Sequence, residues 1–307
     1  MTKVFIDGSA GTTGLRIYER LSERRDIEWM LLPDELRKDE NARREMLNQA
    51  DIAFLCLPDA AAIEAVSMVD NPNTAIIDTS TAHRTADGWT YGFPELAGMR
   101  EKIVSSKRIA NPGCHASGFV ALVEPLVREG ILDKSAKLSC FSLTGYSGGG
   151  KKMIAEYEGE ERDELLDSPR MYGITQNHKH LKEMKAICGL DIAPVFCPIV
   201  APYYCGMEVT IPLFAENVKG GAEAIKVLYR DYYARGLVRF KESDDETGFM
   251  AANALSGRDD MHITVTGNED RILLVARFDN LGKGASGSAI QNMNILLGVD
   301  EKTGLTV

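Results

Sequence analysis

Short apolar runs alternate with segments of helical pattern over roughly the first 115 residues, and this alternation constrains the fold more than any other feature. The run at residues 52–57 is almost wholly apolar, which is typical of a strand covered by helices on both faces. The pattern predicts strands at 4–7, 27–32, 52–57, 75–78 and 103–110, with helices at 14–24, 41–48 and 60–69. We therefore predict an α/β fold with a Rossmann-like, doubly wound parallel sheet.

The second part of the chain has a different pattern. Longer strand-like runs appear at 136–144, 193–201, 207–213, 261–266 and 272–278, with helices at 222–234 and 286–297. Some of these runs alternate, as in Glu208-Val209-Thr210-Ile211, which indicates a sheet with one covered face. We therefore predict an α+β domain with a mixed or antiparallel sheet, whose open face favours a homodimer or homotetramer.

These patterns place three segments along the chain. The first domain is predicted at 1–114, and the second domain, which carries the oligomerisation surface, at 115–284. A C-terminal segment at 285–307 is predicted to return to the first domain as a helix.

Composition and charge argue against several classes of protein. The formal net charge is −10 and no Lys/Arg-rich block occurs, so we expect no nucleic-acid partner. No apolar run reaches the ~18 residues of a membrane span, and no signal-peptide pattern is present. The six cysteines are scattered without a C-x-x-C pair, which favours free thiols and a cytoplasmic location. No residue set has metal-ligand spacing, so no metal site is predicted.

A glycine-rich turn follows the first predicted strand. Gly8, Gly11 and Gly14 recur every third residue, and such glycines let the backbone approach a pyrophosphate closely. The following helix points its N–H groups at the same negative charge. The spacing differs from the G-x-G-x-x-G fingerprint, and a glycine-rich turn before a surface helix is the alternative. The candidate dinucleotide-binding residues here are Gly8, Ser9, Gly11, Thr12, Thr13 and Gly14.

The end of the second strand is where a dinucleotide places its adenine ribose. Asp34 suits the 2′-hydroxyl of NAD, whereas Arg37 and Lys38 suit the 2′-phosphate of NADP, and these residues alone leave the choice open. A solvated loop of charges is the third possibility. Pro58 and Ser80 follow the third and fourth strands, at the sheet edge where ligands bind, and are further candidate cofactor contacts.

Cys114 lies at a predicted strand-to-helix corner. Asn111, Pro112 and Gly113 form a sharp turn, and apolar residues at helical spacing follow from Phe119. The start of a helix stabilises a thiolate, which is the nucleophilic form of cysteine. We therefore interpret Cys114 as a reactive nucleophile rather than as a small buried side chain.

Other residues suit an anionic substrate. Arg84 follows the fourth strand and can clamp a phosphate or carboxylate, although pairing with a nearby acid is the alternative. Gly148, Gly149 and Lys151 belong to a glycine-rich segment after a strand. Consecutive glycines suit a backbone that lies against a ligand, or else a flexible connector.

Two histidines, His178 and His180, stand two residues apart. On an extended segment such residues face the same way, so both are candidates for general acid and base beside the thiolate. A solvated histidine pair is the alternative. His115 directly follows Cys114, but adjacent residues at a helix start point to different sides, so His115 ranks lower.

Together these motifs resemble the N-acetyl-γ-glutamyl-phosphate reductases, in the shorter bacterial form of that family. The resemblance spans nearly the whole chain in the family's order, and its most specific parts are the Asn-Pro-Gly-Cys run and residues 279–287. The matching pieces are residues 8–14, 78–84, 91–96, 111–114, 145–151, 178–180 and 279–287. The related aspartate-semialdehyde dehydrogenases share the layout but usually carry Asn-Cys rather than Gly-Cys at the nucleophile.

The resemblance implies a two-domain enzyme of arginine biosynthesis. It would reduce N-acetyl-L-glutamyl 5-phosphate to the 5-semialdehyde with NADPH, through a cysteine thioester, and release phosphate. The family's nucleophile maps onto Cys114 and its acid–base histidine onto His178. His180 and Tyr172 match positions that hold substrate.

The C-terminal glycine run, Gly282 to Gly287, is expected to return to the first domain and to contact the nicotinamide or its phosphates, and Asn280 and Gly284 are the candidate cofactor contacts there. One departure concerns the nucleophile's surroundings, because His115-Ala116-Ser117 stands where Tyr-Ala-Thr is common. Two other functions stay open: an acyl-phosphate reductase for aspartyl phosphate or a lysine-pathway substrate, and a non-catalytic dinucleotide-binding regulator.

Overall fold

The computed structural model describes residues 1–307, which form two compact units. The first unit contains Met1–Pro112 and Ala285–Leu305, and the second contains Gly113–Gly284 and Thr306–Val307. Each unit is built on one β-sheet, of six strands in the first and seven in the second. None of the helices combines the length and the apolar character needed to cross a bilayer.

The first unit alternates strands with helices. Its strands are β1 (Thr2–Asp7), β2 (Ile27–Met30), β3 (Ile52–Leu55), β4 (Ala75–Asp78), β5 (Thr90–Tyr91) and β6 (Arg108–Ala110). Its first helices are α1 (Thr12–Leu21), α2 (Glu40–Gln49), α3 (Asp59–Ser67) and α4 (Met99–Ser105). The strand order is β2-β1-β3-β4-β6-β5, and every neighbouring pair is parallel. The predicted parallel sheet is confirmed.

Helices cover both faces of this sheet, because the central strands are apolar on both faces. All four residues of β3 are buried, with Phe54 in one hydrophobic cluster and Leu55 in another. The first cluster contains Ile17 of α1, and the second contains Leu47 of α2. This double coverage explains why the sequence of β3 shows no alternation.

The strand predicted at 103–110 is wrong over its first half. Helix α4 continues to Ser105, and only Arg108–Ala110 forms β6. Ile103 is fully buried on this helix while its neighbour Val104 is 59% exposed. Met99, four residues before Ile103, packs against the same hydrophobic cluster, and this spacing is typical of a helix. A short apolar run does not by itself distinguish the two structures.

The second unit holds a mixed sheet, as the sequence predicted. Its strands are β7 (Ser139–Gly145), β8 (Arg170–Met171), β9 (Val195–Ala201), β10 (Met207–Phe214), β11 (Val238–Phe240), β12 (Met261–Gly267) and β13 (Arg271–Phe278). Its helices are α5 (Cys114–Arg128), α6 (Gly150–Glu158), α7 (His180–Ile187) and α8 (Gly221–Tyr232). The order is β11-β12-β13-β10-β7-β9-β8, in which β10 pairs antiparallel with β13 and β7, and β7 pairs parallel with β9.

One face of the mixed sheet is covered and the other is open. Helix α5 approaches the covered face so closely that a Cβ atom on Gly118 would lie 2.5 Å from Val209 Cγ2. The opposite face carries Phe141, Phe214 and Leu273, whose exposed fractions are 41%, 62% and 38%. A row of large exposed apolar side chains on neighbouring strands is typical of a surface that another chain covers.

The C-terminal segment belongs to the first unit. A π-helical turn, Gly282–Ser286, precedes the helix α9 (Gly287–Leu297). Ile290 and Met293 of α9 join the hydrophobic cluster that contains Ile17, so α9 contributes to the same core as α1.

Candidate active site

Cys114 is the first residue of α5, as the sequence predicted, and it is partly exposed. Gly113 caps the helix with an extended backbone, and no side chain caps it. The Gly113 N–H donates to Glu183 Oε1 at 2.9 Å, while the Gly113 carbonyl accepts from the N–H and the hydroxyl of Ser117. The thiol therefore lies at the positive end of a fifteen-residue helix, where negative charge on sulfur is stabilised.

Gly284 packs directly against the candidate nucleophile. A Cβ atom at this position would lie 3.0 Å from Cys114 Cβ and 3.2 Å from the carbonyl oxygen of Asp279. The Gly284 N–H donates to that same carbonyl at 3.0 Å, which fixes the turn. A side chain at position 284 would press on the cysteine, so the glycine keeps the space beside the thiol open.

Three histidine rings form a cluster next to this helix start. The ring centroid of His115 lies 5.9 Å from that of His178 and 5.5 Å from that of His180. His115 Nδ1 lies 2.6 Å from Ser142 Oγ, and its Nε2 lies 2.6 Å from Tyr172 Oη. Both ring nitrogens are thus hydrogen-bonded inside the protein.

Burial sets the charge state of this cluster. It lowers the pKa of His115 to about 3, with a smaller contribution from His178, so the imidazole is neutral at physiological pH. His178 is half-buried, and burial followed by the nearby Lys179 lowers its pKa as well. Burial, followed by the charge of Cys114, raises the pKa of Tyr172, so this hydroxyl stays protonated. His115 is committed to hydrogen bonds, so His178 is the better candidate for proton transfer.

The segment that carries His178 and His180 is not extended, and that part of the sequence interpretation is wrong. His180 begins α7, and the His180 N–H lies 3.3 Å from His178 Nδ1. The two rings still meet edge to face, with centroids 4.8 Å apart. The helix start brings them together, rather than the two-residue repeat of a strand.

Glu183 was missed in the sequence analysis. It lies on α7 three residues after His180, is buried, and accepts the Gly113 N–H. It therefore ties the helix that carries His180 to the corner that carries Cys114. The only signal in the sequence is its spacing from the histidine, which does not identify its partner.

The glycine-rich segment after β7 forms a tight turn that leads into α6. Tyr146–Gly149 is a 3₁₀ turn, and α6 begins at Gly150, whose φ is +72°. A Cβ atom on Gly149 would lie 2.5 Å from the sulfur of Met153, whereas one on Gly148 would lie 3.4 Å from Thr144 Oγ1. Lys151 lies in the exposed first turn of α6.

Asn280 holds this turn against the end of the sheet. Its Nδ2 donates to Ser147 Oγ at 3.0 Å, and its Oδ1 accepts the Gly206 N–H at 2.9 Å. The side chain is buried and joins the turn after β7 to the turn before β10.

In the first unit, the glycine turn after β1 is shaped by close backbone contacts. Gly8 has φ of +90°, and a Cβ atom there would lie 2.3 Å from the carbonyl oxygen of Cys56. A Cβ atom on Gly14 would lie 2.6 Å from the carbonyl oxygen of Gly8. Helix α1 begins at Thr12, with Gly11 as its cap. Side chains at Gly8 and Gly14 would fill the turn, as expected of a phosphate cradle at a helix start.

A cavity of about 330 Å³ opens beside this turn, at the ends of β1, β2 and β3. Gly8 and Ser9 form one side of it, and Arg37, Lys38 and Arg43 supply positive charge. Asp34 does not line the cavity and instead pairs on the surface with Arg37, at 2.7 Å. Asp7 also lines the cavity, so three basic side chains and one carboxylate surround it.

Arg43 was also missed in the sequence analysis. It is buried on α2, and its Nε and Nη2 donate to Asp7 Oδ2 at 3.1 and 3.0 Å. Burial raises the pKa of Asp7, and Arg43 opposes that rise. The arginine therefore neutralises the carboxylate at the end of β1, beside the glycine turn, where it would otherwise repel an anionic ligand.

The loop after β4 is held by Asp78. Ser80 Oγ donates to Asp78 Oδ2 at 2.7 Å, and His83 Nδ1 lies 2.6 Å from the same oxygen. Arg84 is buried, and it donates to the carbonyl oxygens of Asn111 at 2.9 Å and Thr79 at 3.1 Å. Arg84 thus supports the chain just before the Cys114 corner. Pro58, the remaining predicted contact, caps α3.

Comparisons with known proteins identify the family of the chain. The family model "Semialdehyde dehydrogenase, dimerisation domain" matches residues 114–280, and "Semialdehyde dehydrogenase, NAD binding domain" matches residues 31–106. The chain is 45% identical to N-acetyl-gamma-glutamyl-phosphate reductase 2 of Nostoc sp. over 318 residues, covering 99% of both. It is 46% identical to N-acetyl-gamma-glutamyl-phosphate reductase of Allorhizobium ampelinum, covering 96% of this chain and 98% of the relative.

A solved structure supports the fold. Aspartate semialdehyde dehydrogenase II of Vibrio cholerae, crystallised with ASA, superposes with a TM-score of 0.74 at 16% identity, covering 97% of this chain and 98% of that one. At this identity the likeness concerns the fold alone. On the full-length sequence identity to its relatives, the chain belongs to the N-acetyl-gamma-glutamyl-phosphate reductase family, and it is an oxidoreductase that uses a nicotinamide dinucleotide.

Proposed function

We propose that the protein reduces N-acetyl-L-glutamyl 5-phosphate to N-acetyl-L-glutamate 5-semialdehyde with NADPH, releasing phosphate, in arginine biosynthesis. The observation that carries the proposal is the position of Cys114, at the start of α5 and next to the His115, His178 and His180 cluster. The names of the full-length relatives support the choice of substrate.

The first half of the reaction is acyl transfer to sulfur. The Cys114 thiolate attacks the C5 carbonyl carbon, a C–S bond forms, and the tetrahedral oxyanion collapses as the C–O bond to phosphate breaks. Inorganic phosphate leaves and a thioester remains on the enzyme. This covalent route divides one difficult displacement into two easier steps.

The second half reduces the thioester. When bound, NADPH supplies the hydride that the acyl carbon accepts. His178 donates a proton to the developing oxyanion, which gives a thiohemiacetal on Cys114. The neutral His178 then removes the hydroxyl proton while the C–S bond breaks, which releases the aldehyde and regenerates the thiolate. The lowered pKa of His178 suits this second, basic role.

The leaving phosphate requires donors of its own. We assign it to Gly148, Gly149 and Lys151, because this segment leads into the start of α6, where N–H groups and a lysine favour an anion. Arg84 remains a candidate for substrate binding, although two carbonyl oxygens already accept from its guanidinium. His180 and Tyr172 would hold the acyl group.

NADP is the proposed cofactor. Arg37, Lys38 and Arg43 line the cavity at the end of β2, and a 2′-phosphate would meet Lys38 and Arg37 there, while Arg43 offsets the charge of Asp7, and Asp34 does not line the cavity. The pyrophosphate would lie on the glycine turn. The remaining cofactor contacts proposed are Gly8, Ser9, Gly11, Thr12, Thr13, Gly14, Pro58, Ser80, Asn280 and Gly284.

A second copy of the chain is the proposed partner, in a homodimer or homotetramer in the cytoplasm. The open face of the mixed sheet supports this proposal, because Phe141, Phe214 and Leu273 are exposed on neighbouring strands. The matching family model is also described as a dimerisation domain.

The direct test is the reverse reaction. Purified protein with N-acetyl-L-glutamate 5-semialdehyde and NADP should form NADPH continuously when phosphate is present, and at most one NADPH per chain when it is absent. Cys114→Ser should retain NADP binding and lose turnover. If the variant keeps more than a few per cent of the wild-type rate, the covalent route is wrong.

A substrate panel separates the close alternatives. Aspartate semialdehyde or a lysine-pathway semialdehyde, if preferred over the N-acetylglutamate compound, would assign the enzyme to another acyl-phosphate reductase class. Binding of NADPH without turnover on any semialdehyde would indicate a regulator instead.

A further inference from the structure

Arg170 on β8 has no acidic partner. Other partly or fully buried arginines of the second unit are neutralised, since Arg277 pairs with Asp244 and Glu246. Arg170 forms no ion pair at all, and its Nε is buried without a hydrogen-bond acceptor. Arg170 is partly buried, and a guanidinium cannot lose its charge in a protein, so shielding part of it from water without a carboxylate is costly unless an anion arrives.

The contacts that Arg170 does make hold it in place without neutralising it. Its Nη2 donates to Tyr157 Oη at 3.0 Å, and its Cζ lies 5.4 Å from the centroid of the Tyr157 ring. Tyr157 is buried and in turn stacks on Tyr146, with centroids 4.6 Å apart. These aromatic rings orient the planar guanidinium, whose terminal nitrogens Nη1 and Nη2 together carry four N–H groups, and only one hydrogen bond from them, to Tyr157, is present.

Arg170 lies on the same face of the sheet as the catalytic cluster. It stands two residues before Tyr172, which directly follows β8 and packs against the hydrophobic cluster that contains Tyr157, the partner of Arg170. The Tyr172 N–H donates to the Pro198 carbonyl, which continues the pairing of β8 with β9, and Tyr172 Oη lies 2.6 Å from His115 Nε2. The intervening Met171 is 51% exposed on the other side.

We propose that Arg170 binds the α-carboxylate of the acyl-phosphate substrate and selects for substrates that carry it. This inference rests on the proposed function. The substrate has two anionic ends joined by the short carbon chain of the amino acid. One end is the phosphate at the reacting carbonyl, and the other is the α-carboxylate, for which Arg170 supplies a planar pair of donors.

The position of α6 favours the carboxylate over the phosphate as the ligand of Arg170. The phosphate segment ends at the start of α6, at Gly150, whereas Tyr157 and its bound Arg170 lie near the other end. Seven residues of helix separate Gly150 from Tyr157, which corresponds to about 10 Å. The two anion sites therefore lie at opposite ends of this helix segment, and the long Arg170 side chain reaches from one of them. This arrangement matches the two anionic ends of an extended substrate.

The test compares two aldehydes in the phosphate-dependent reverse assay. N-acetyl-L-glutamate 5-semialdehyde carries the carboxylate, and 4-acetamidobutanal is the same molecule without it. Arg170→Met should lower kcat/KM for the first aldehyde by about 10- to 100-fold, mainly through KM, as expected for loss of a charged hydrogen bond. It should leave kcat/KM for the second aldehyde and KM for phosphate unchanged.

Arg162→Met is the matched control. Arg162 also contacts Tyr157, through the carbonyl oxygen, but it has its own carboxylate partner in Asp167. Its variant should behave as wild type toward both aldehydes. Arg170→Lys keeps the charge without the planar fork, and it should show a selective loss smaller than that of Arg170→Met, which also serves if the methionine variant does not fold.

Four results would overturn the inference. Equal losses for both aldehydes would mean that Arg170 has only a structural role, and a raised KM for phosphate would assign it to the phosphate site. A wild-type enzyme that turns over neither aldehyde would refute the proposed function and the inference with it. Turnover of the semialdehyde with no effect of either Arg170 variant would refute the inference alone.

Discussion

His115 should make the second unit sensitive to acid, and His115→Gln should remove part of that sensitivity. The imidazole is buried, with Ser142 Oγ and Tyr172 Oη each 2.6 Å from a ring nitrogen. Burial lowers its pKa to about 3, so the folded protein keeps the ring neutral well below neutral pH. The unfolded chain binds a proton there at the ordinary pKa of about 6.5.

The direction and size of this pH effect follow from the linkage between proton binding and the free energy of unfolding. Below about pH 6.5 the unfolded state binds more protons at this site than the folded state, so stability falls as pH falls, down to about pH 3. At pH 7 the cost is about 0.2 kcal/mol, and at pH 5 it is about 2 kcal/mol. The wild type should therefore lose about 2 kcal/mol more than His115→Gln between these pH values.

The assay is urea unfolding followed by far-UV circular dichroism, at pH 7 and pH 5, for both proteins. The constant cost of the substitution cancels in the difference between the two pH values. His262→Gln is a control of opposite sign. Burial lowers the pKa of His262, but Asp244 and Asp260 raise it by more, so the net pKa lies above its usual value. The stabilisation that protonated His262 gives to the folded state is therefore complete below about pH 6.5 and is lost as pH rises through the raised pKa. Equal pH dependence for wild type and His115→Gln would refute the neutral, buried histidine.

Three further experiments test the site. Gly284→Ala should reduce turnover about tenfold, because its Cβ would press on Cys114 at 3.0 Å; wild-type steady-state rates would contradict this. His178→Asn should lower kcat by about 10²–10⁴, whereas His180→Asn should chiefly raise KM, and the opposite kinetic pattern would exchange their roles. Arg37→Ala combined with Lys38→Ala should weaken NADPH binding more than NADH binding in a fluorescence titration; an equal loss for both would remove these residues from the 2′-phosphate site.

The local features of the fold were predictable because they depend on nearby residues. The strand β3 and the turn before Cys114 each depend on a few consecutive residues, and both occur where the sequence predicted them. The start of α7 at His180 was not foreseen, because a helix and an extended segment both allow two histidines to meet.

The long-range partners of the site were not predictable. Glu183 meets the Gly113 N–H across 70 positions of sequence, and Arg43 meets Asp7 across 36. Charged residues on polar helices look alike in a single sequence, and only the packing of α7 and α2 decides which of them is buried against a partner. Both contacts bear on charge: one at the nucleophile corner and the other beside the glycine turn.

Mass spectrometry of the quenched enzyme tests most directly whether the substrate forms an acyl link to the Cys114 sulfur. The enzyme is mixed with N-acetyl-L-glutamate 5-semialdehyde and NADP without phosphate, quenched in acid, digested and mapped. We expect one acyl group per chain, located on Cys114, and we expect it to disappear when phosphate is added before the quench. An unmodified Cys114 in an enzyme that turns over, or an acyl group on another residue, would contradict this expectation.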